Sequence, residues 1–238
     1  MFRQGKPRAF IHNLRLASML SFVAGIVNIS GVLSIHTLTT NVTGHFAFFS
    51  EHFVQGSYKM ALDAISYIVA FLLGAFSCGF MVELTIQKKP KMSHTIPILL
   101  EIGILIIVAF TNTSIPAEWL ARILLFSMGL QNALVTKISQ ATVRTTHLTG
   151  LFTDLGIEIS QLFFYRNKAD TQKLSKSIYL RFAIIVFFFF GGVLGGFLYK
   201  EIQLYSLVLA AGTLLTALAY DNLRFGFHYY VRKLKSKP

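Results

Sequence analysis

The chain has 238 residues, of which 54% are hydrophobic and only 13% are charged, and its mean hydropathy is +0.60. A water-soluble protein of this length needs far more charged surface, so the composition excludes a soluble globular domain. The net charge of +12 comes without a basic stripe interleaved with aromatic residues, which argues against nucleic acid as a partner.

Six apolar segments of about 20 residues follow one another along the chain, and each matches the thickness of a bilayer core. They cover residues 16–35, 64–83, 95–112, 118–138, 178–199 and 202–221. The sequence therefore predicts an all-α polytopic membrane protein with about six transmembrane helices. Residues 1–238 form a single membrane domain, and the lipid bilayer surrounds it.

The distribution of positive charge predicts the orientation of these helices. With the N-terminus inside, all but three of the 22 lysines and arginines lie in inner segments, and the exceptions are Lys59, Arg122 and Lys200. Positive residues concentrate on the cytoplasmic side of membrane proteins. We therefore expect both termini to be cytoplasmic.

A six-residue motif, TTxxTG, occurs twice. Thr39-Thr40-Asn41-Val42-Thr43-Gly44 returns as Thr145-Thr146-His147-Leu148-Thr149-Gly150, with four identities. Residues 25–28 correspond to 129–132, and residues 71–74 to 188–191, in the same order. We predict two three-helix repeats, about 16–112 and about 118–221. Because three spans are an odd number, the second repeat is expected to be inverted relative to the first.

Each motif leads into a segment whose apolar residues have helical spacing, so Gly44 and Gly150 are predicted near the starts of short helices. Threonine hydroxyls can cap such starts. Two helix N-termini directed at the midplane would attract a small polar or anionic solute. Alternatively, the threonines bond to carbonyls of their own helix and the glycines only permit close packing. Both interpretations stay open.

The candidates for lining a substrate path are the polar and glycine residues of the spans and motifs. They are Asn28, Asn41, Thr43, Gly44, His45, Glu101, Gln131, Asn132, Arg144, Thr146, His147, Thr149, Gly150 and Asp154. Glu101 stands in the middle of the third span, where a lone charge costs several kcal/mol or stays protonated. Asn28 and Gln131 are its candidate hydrogen-bond partners.

Asp154 and Glu158 are four residues apart and share one helix face. If that face is buried, the two carboxylates are candidates for proton binding. If it meets the cytoplasmic headgroups, they are solvated and pair with Arg144 or Arg166, and the lysine-rich and arginine-rich segment that follows favours this second interpretation.

Enzyme, metal and cofactor chemistry lack a sequence signature. The seven histidines are scattered, Cys78 is the single cysteine, and no nucleophile stands beside a base at a recognisable spacing. The leading hypothesis is a small secondary transporter or permease-like protein, with a path between the repeats lined by the TTxxTG motifs. The alternative is a non-transporting scaffold or sensor. Paired glycines, Gly191, Gly192, Gly195 and Gly196, predict a close helix contact within the chain or in a homodimer.

From about Leu16 to about Tyr220 the sequence resembles the YoaK-type family of uncharacterised bacterial multi-pass membrane proteins. The marks are the run from Asn41 to Gly44 and the longer run from Val143 to Gly156, VRTTHLTGLFTDLG. The resemblance implies a bacterial inner-membrane location and supplies no activity. The family pattern has an acid where Asn28 stands and an asparagine where His45 stands. If that acid binds a proton or cation in the family, this chain lacks the binding carboxylate in its first span. Whether His45 replaces it stays open.

Overall fold

Helices make up nearly all of the described chain. The computed structural model describes residues 10–88, 93–111, 115–139, 146–164 and 168–219, and these residues contain no strand. In chain order the helices are α1 (Phe10–Ile35), α2 (Val42–Val54), α3 (Tyr58–Lys88), α4 (Thr95–Thr111), α5 (Ala117–Ser139), α6 (Leu148–Gln161), α7 (Lys168–Ile202) and α8 (residues 207–219). A 3-10 turn over Gln203–Ser206 joins α7 to α8. The predicted all-α class is confirmed.

The six predicted spans overlap α1, α3, α4, α5, α7 and α8. By length and composition, four segments of the described chain could cross a membrane, namely Leu14–Ile35, Tyr58–Gln87, Ala117–Lys137 and Asp170–Ala219. The last has 50 residues because it includes both α7 and α8. Helix α4 is apolar but has 17 residues, which extend about 25 Å. These long apolar helices support a membrane protein.

Left-handed backbone conformations end three of the helices. His36 follows α1 with φ 52°, Gly56 follows α2 with φ 75° and Gln203 follows α7 with φ 51°. At the end of α1, the amide of His36 donates to the carbonyl of Val32 at 3.1 Å, which is the five-to-one bond of an αL cap, and the amide of Thr37 donates to the carbonyl of Gly31 at 3.3 Å. The first TTxxTG motif therefore leaves the axis of α1 instead of prolonging the helix.

Helices α1 and α7 lie side by side and run in the same direction. Phe10 contacts Tyr179 with ring centroids 6.2 Å apart, and further along both helices Phe22 contacts Phe190 at 6.1 Å. Helices α3 and α5 are also parallel, because Asp63 pairs with Arg122 near the start of both and Glu83 pairs with Lys137 near the end. The fold is thus organised around two parallel pairs.

Glycine brings each parallel pair to backbone contact. A Cβ atom on Gly25 would collide with the carbonyl oxygen of Phe188, and one on Gly191 would collide with that of Phe22. The close contact predicted from the paired glycines therefore forms within the chain, between α1 and α7.

The α3–α5 pair repeats the same reciprocal contact. Gly74 meets the carbonyl of Phe126, and Gly129 meets the carbonyl of Phe71. In all four helices the glycine follows its phenylalanine by three residues, giving F-x-x-G at 22–25, 71–74, 126–129 and 188–191. Two of these four copies, 71–74 and 188–191, correspond to each other in the internal repeat.

The interior of the bundle is mainly apolar, and the outside is apolar as well. Fully buried side chains include Leu20 of α1, Leu105 of α4 and Leu124 of α5. On the outside, Phe76 of α3 and Phe197 of α7 keep about two thirds of their surface exposed, at 66% and 68%. Large exposed apolar faces are rare in water and normal in lipid.

Candidate functional site

The first TTxxTG motif forms a compact link between α1 and α2. Asn41 is the N-cap of α2, and its Oδ1 accepts a hydrogen bond from the amide of Gly44 at 3.1 Å. The hydroxyl of Thr40 donates to Oδ1 of Asn28 at 3.0 Å, which ties the motif to the polar position of α1. The predicted short helix is confirmed, whereas its cap is Asn41 and not a threonine.

We expect Asn41→Ala to weaken the start of α2 by about 1 kcal/mol, because loss of a cap leaves a helix amide without its partner. Amide hydrogen exchange over residues 42–46 measures this local loss. Thr43→Ala is the matched control, since Thr43 lies in the first turn and is exposed. Equal exchange rates in the two variants would contradict the assigned cap.

The second motif leads into α6 with a different cap. His147 is the N-cap residue and makes no side-chain cap hydrogen bond, but its ring lies where a Cβ atom on Gly150 would be. Thr149 is exposed, and its carbonyl accepts the hydroxyl of Thr153 at 3.0 Å. Thr146 is half-buried just before the helix. Arg144 lies outside the described residues.

The two motif helices pack on different neighbours, α2 on α3 and α6 on α7. On α6, Asp154 and Glu158 share a face as predicted, and both contact Arg181 of α7, at 2.8 Å and 2.9 Å. Glu158 also accepts the hydroxyl of Ser177 at 2.6 Å. The carboxylates are therefore ion-paired with Arg181, whereas the predicted cations, Arg144 and Arg166, lie outside the described residues.

Several polar groups are buried among α1, α4 and α5. Both carboxyl oxygens of Glu101 are buried without a hydrogen-bond partner among the described residues. The expected partners bond elsewhere, since Asn28 accepts from Thr40 and Gln131 donates to the carbonyl of Leu20 at 3.2 Å. Oδ1 of Asn132 is also buried and unpartnered within the described part of the chain. The prediction that Asn28 or Gln131 is the hydrogen-bond partner of Glu101 was therefore wrong.

A cavity of about 390 Å³ lies where the end of α1, helix α2 and the first turns of α3 and α5 meet. Its polar lining includes His36, His45, His52, Asp63 and Glu118, and Phe48 and Tyr67 supply aromatic surface. Of the candidates chosen from sequence, only His45 lines it.

Arg122 of α5 does not line the cavity itself but contacts Asp63, which does. It pairs with Asp63, its Nε donates to the hydroxyl of Ser66 at 2.9 Å, and its guanidinium lies 4.8 Å from the ring centroid of Trp119. Sequence reasoning missed this group. The available signal was spacing, because Asp63 and Ser66 on α3, and Glu118 and Arg122 on α5, share helix faces near the starts of apolar spans.

His45 is the most buried titratable group of the cavity, with 2% of its surface exposed. Its Nε2 donates to the carbonyl of Leu38 at 2.8 Å. Burial lowers the pKa of His45, and the bond to Leu38 offsets part of this effect. A neutral ring whose Nε2 carries the proton presents Nδ1 as a hydrogen-bond acceptor.

Comparison with known proteins supports the resemblance noted in the motifs. A model of the family described as "Protein of unknown function (DUF1275)" matches residues 16–220. The chain belongs to DUF1275. A relative in Bacillus subtilis (strain 168), the UPF0700 transmembrane protein YoaK, is 26% identical over 210 residues, which are 85% of this chain and 92% of the relative.

No solved structure matches this DUF1275 chain. The long apolar helices support a membrane location for it. The family description assigns no activity, so the function must be argued from the arrangement of the residues.

Proposed function

We propose that this DUF1275 chain is a small-solute secondary transporter or permease-like protein of the bacterial inner membrane, without enzymatic activity. It has six spans in two inverted repeats, both termini are cytoplasmic, and the solute path runs between the repeats, lined by the TTxxTG motifs. A homodimer is part of the proposal.

The two parallel helix pairs support the inverted arrangement. When six spans alternate in direction, the first and fifth, α1 and α7, point the same way, and the second and fourth, α3 and α5, point the opposite way. The reciprocal F-x-x-G contacts then relate the first span of each half to the second span of the other half. Transporters built from inverted repeats have this kind of internal relation.

The observation that carries the proposal is the set of buried polar atoms between the halves. The carboxyl of Glu101, the Oε1 of Gln131 and the hydroxyls of Ser21 and Ser127 are buried without partners in the described chain. A buried polar group without a hydrogen bond costs about 1–3 kcal/mol. A polar solute or water that passes between the repeats would supply the missing partners.

Single cysteines in a Cys78→Ala background test the topology. Lys59→Cys and Lys173→Cys both lie at exposed positions. We expect a membrane-impermeant maleimide to label Lys59→Cys only from outside intact cells and Lys173→Cys only in inverted vesicles. Labelling of both from one side would overturn the alternating six-span arrangement.

The path itself is tested by Ser127→Cys and Ser21→Cys, both fully buried in the bundle. A transporter that opens to either side should let a small methanethiosulfonate reagent reach them within minutes. Phe76→Cys on the lipid-facing surface is the control and should stay unlabelled. If both buried sites are as protected as Phe76→Cys, the transport proposal is wrong and the scaffold interpretation, which the tight glycine contacts favour, replaces it.

A further inference from the structure

The cavity beside α2 has the dimensions of a ligand site. Its volume of about 390 Å³ falls within the range of about 300–1,000 Å³ usual for small-molecule pockets. Three α-helices and the end of a fourth form its walls, so its lining groups are held on rigid elements.

The charges that line this cavity do not cancel. The charge of Asp63 is matched by Arg122, which also holds Ser66. Glu118 lines the same cavity and has no ion-pair partner among the described residues. Lys59 is near the start of α3 but is not part of the lining. One carboxylate charge is therefore left for a ligand.

A second side chain with an acceptor atom lines the cavity from α2. His45 lines it while being 2% exposed, and its Nε2 proton is committed to the carbonyl of Leu38. Its Nδ1 is thus an acceptor with no partner in the described chain. This buried imidazole in the lining distinguishes the cavity from a surface cluster of acidic residues.

Aromatic rings complete the environment. The ring of Tyr67 meets the His45 ring edge-on with centroids 5.4 Å apart, and Phe48 lies 6.3 Å from His45. The faces of aromatic rings attract cations through their quadrupole. Carboxylate, imidazole acceptor and aromatic surface all select the same type of ligand, one that carries positive charge and N–H donors.

We propose that this cavity binds a small organic cation, whose ammonium group donates to the carboxylate of Glu118 and to Nδ1 of His45 while its carbon skeleton packs against Phe48 and Tyr67. The inference that this cation is the transported solute rests on the proposed function. The existence of the binding site does not depend on it. It also replaces the anionic solute expected from helix N-termini with a cationic one.

Three probes of similar shape and size isolate the effect of ligand charge on binding. Benzylammonium, benzyl alcohol and benzoate are titrated against the purified full chain in nanodiscs, with calorimetry and the thermal midpoint as readouts. We expect saturable heat and stabilisation for benzylammonium alone, because a ligand stabilises the state that binds it. Equal responses to the three probes, or no response to benzylammonium, would overturn the cation site.

Two variants locate the binding. Glu118→Gln should weaken benzylammonium binding at least about tenfold, whereas Glu201→Gln, an exposed carboxylate outside the cavity, should change it less than about twofold. Ala117→Phe narrows the cavity without altering charge and should also abolish binding. Unchanged binding in both Glu118→Gln and Ala117→Phe would refute the site.

The binding and labelling experiments fail separately. Benzylammonium binding with both buried serine positions protected from reagent would refute transport and leave the cation site standing. Accessible serine positions with no charge-selective binding would refute the cation site and leave transport standing.

Discussion

Gly74→Ala is expected to force α3 away from α5 and to lower the free energy of unfolding by about 3 kcal/mol. The added Cβ would collide with the carbonyl oxygen of Phe126, which belongs to a helix backbone and cannot rotate aside. Gly129→Ala should act alike against Phe71. Reversible unfolding in mixed detergent micelles, followed by circular dichroism, measures the loss.

Gly103 and Gly212 provide matched controls, because a Cβ atom on either meets nothing within 4 Å. Alanine there should be neutral or stabilise by up to about 1 kcal/mol, since glycine is the poorer helix former. If alanine at Gly74 and at Gly103 had the same effect, the close crossing of α3 and α5 would be wrong.

A double substitution adds a sharper criterion. Once Gly74→Ala has separated α3 from α5, Gly129→Ala in the same crossing should cost less than it does alone. Gly74→Ala combined with Gly25→Ala, which affects the other helix pair, should be additive within about 0.5 kcal/mol.

Arg181→Ala is expected to release α6 from α7 and to cost about 2 kcal/mol, because it leaves a carboxylate without its charged partner. Glu158 is the more important partner, with 14% of its side chain exposed against 49% for Asp154. In double-mutant cycles, the coupling of Arg181 to Glu158 should therefore exceed its coupling to Asp154.

Lys137→Ala is the control for this prediction. Lys137 pairs with Glu83, whose side chain is 66% exposed, and pairs in such surroundings contribute about 0–1 kcal/mol. Equal costs for Arg181→Ala and Lys137→Ala would show that the Arg181 pair is an ordinary surface contact. Faster hydrogen exchange over residues 148–161 in Arg181→Ala alone would support its role in holding α6.

The local pattern of apolar residues was sufficient to predict the helices. It was insufficient to predict which helices pack against each other. Runs of apolar residues follow the bilayer thickness, so the spans near 16–35 and 64–83 could be predicted within α1 and α3. The parallel pairing of α1 with α7 could not, because it depends on contacts between residues far apart in the chain. The F-x-x-G repeat was visible in the sequence, but it had no meaning until Gly25 met the carbonyl of Phe188.

The candidate site shows the same division. The TTxxTG motifs were recognisable because threonine and glycine clusters stand out in an apolar chain, and their short helices are present. The cavity is lined by His45, Asp63 and Glu118, which come from three helices, and Arg122 pairs with Asp63. No spacing in the sequence brings those helices together.

Composition and helical periodicity are local properties of the chain, so an all-helical membrane protein with two TTxxTG motifs could be predicted before the fold was known. Which charges are matched depends on how the helices pack. Arg181 neutralises the carboxylates of α6, Arg122 neutralises Asp63, and Glu118 is left facing a cavity. The interaction energy of an ion pair decreases with the distance between the two charges. The partners are therefore known only when the helices are packed.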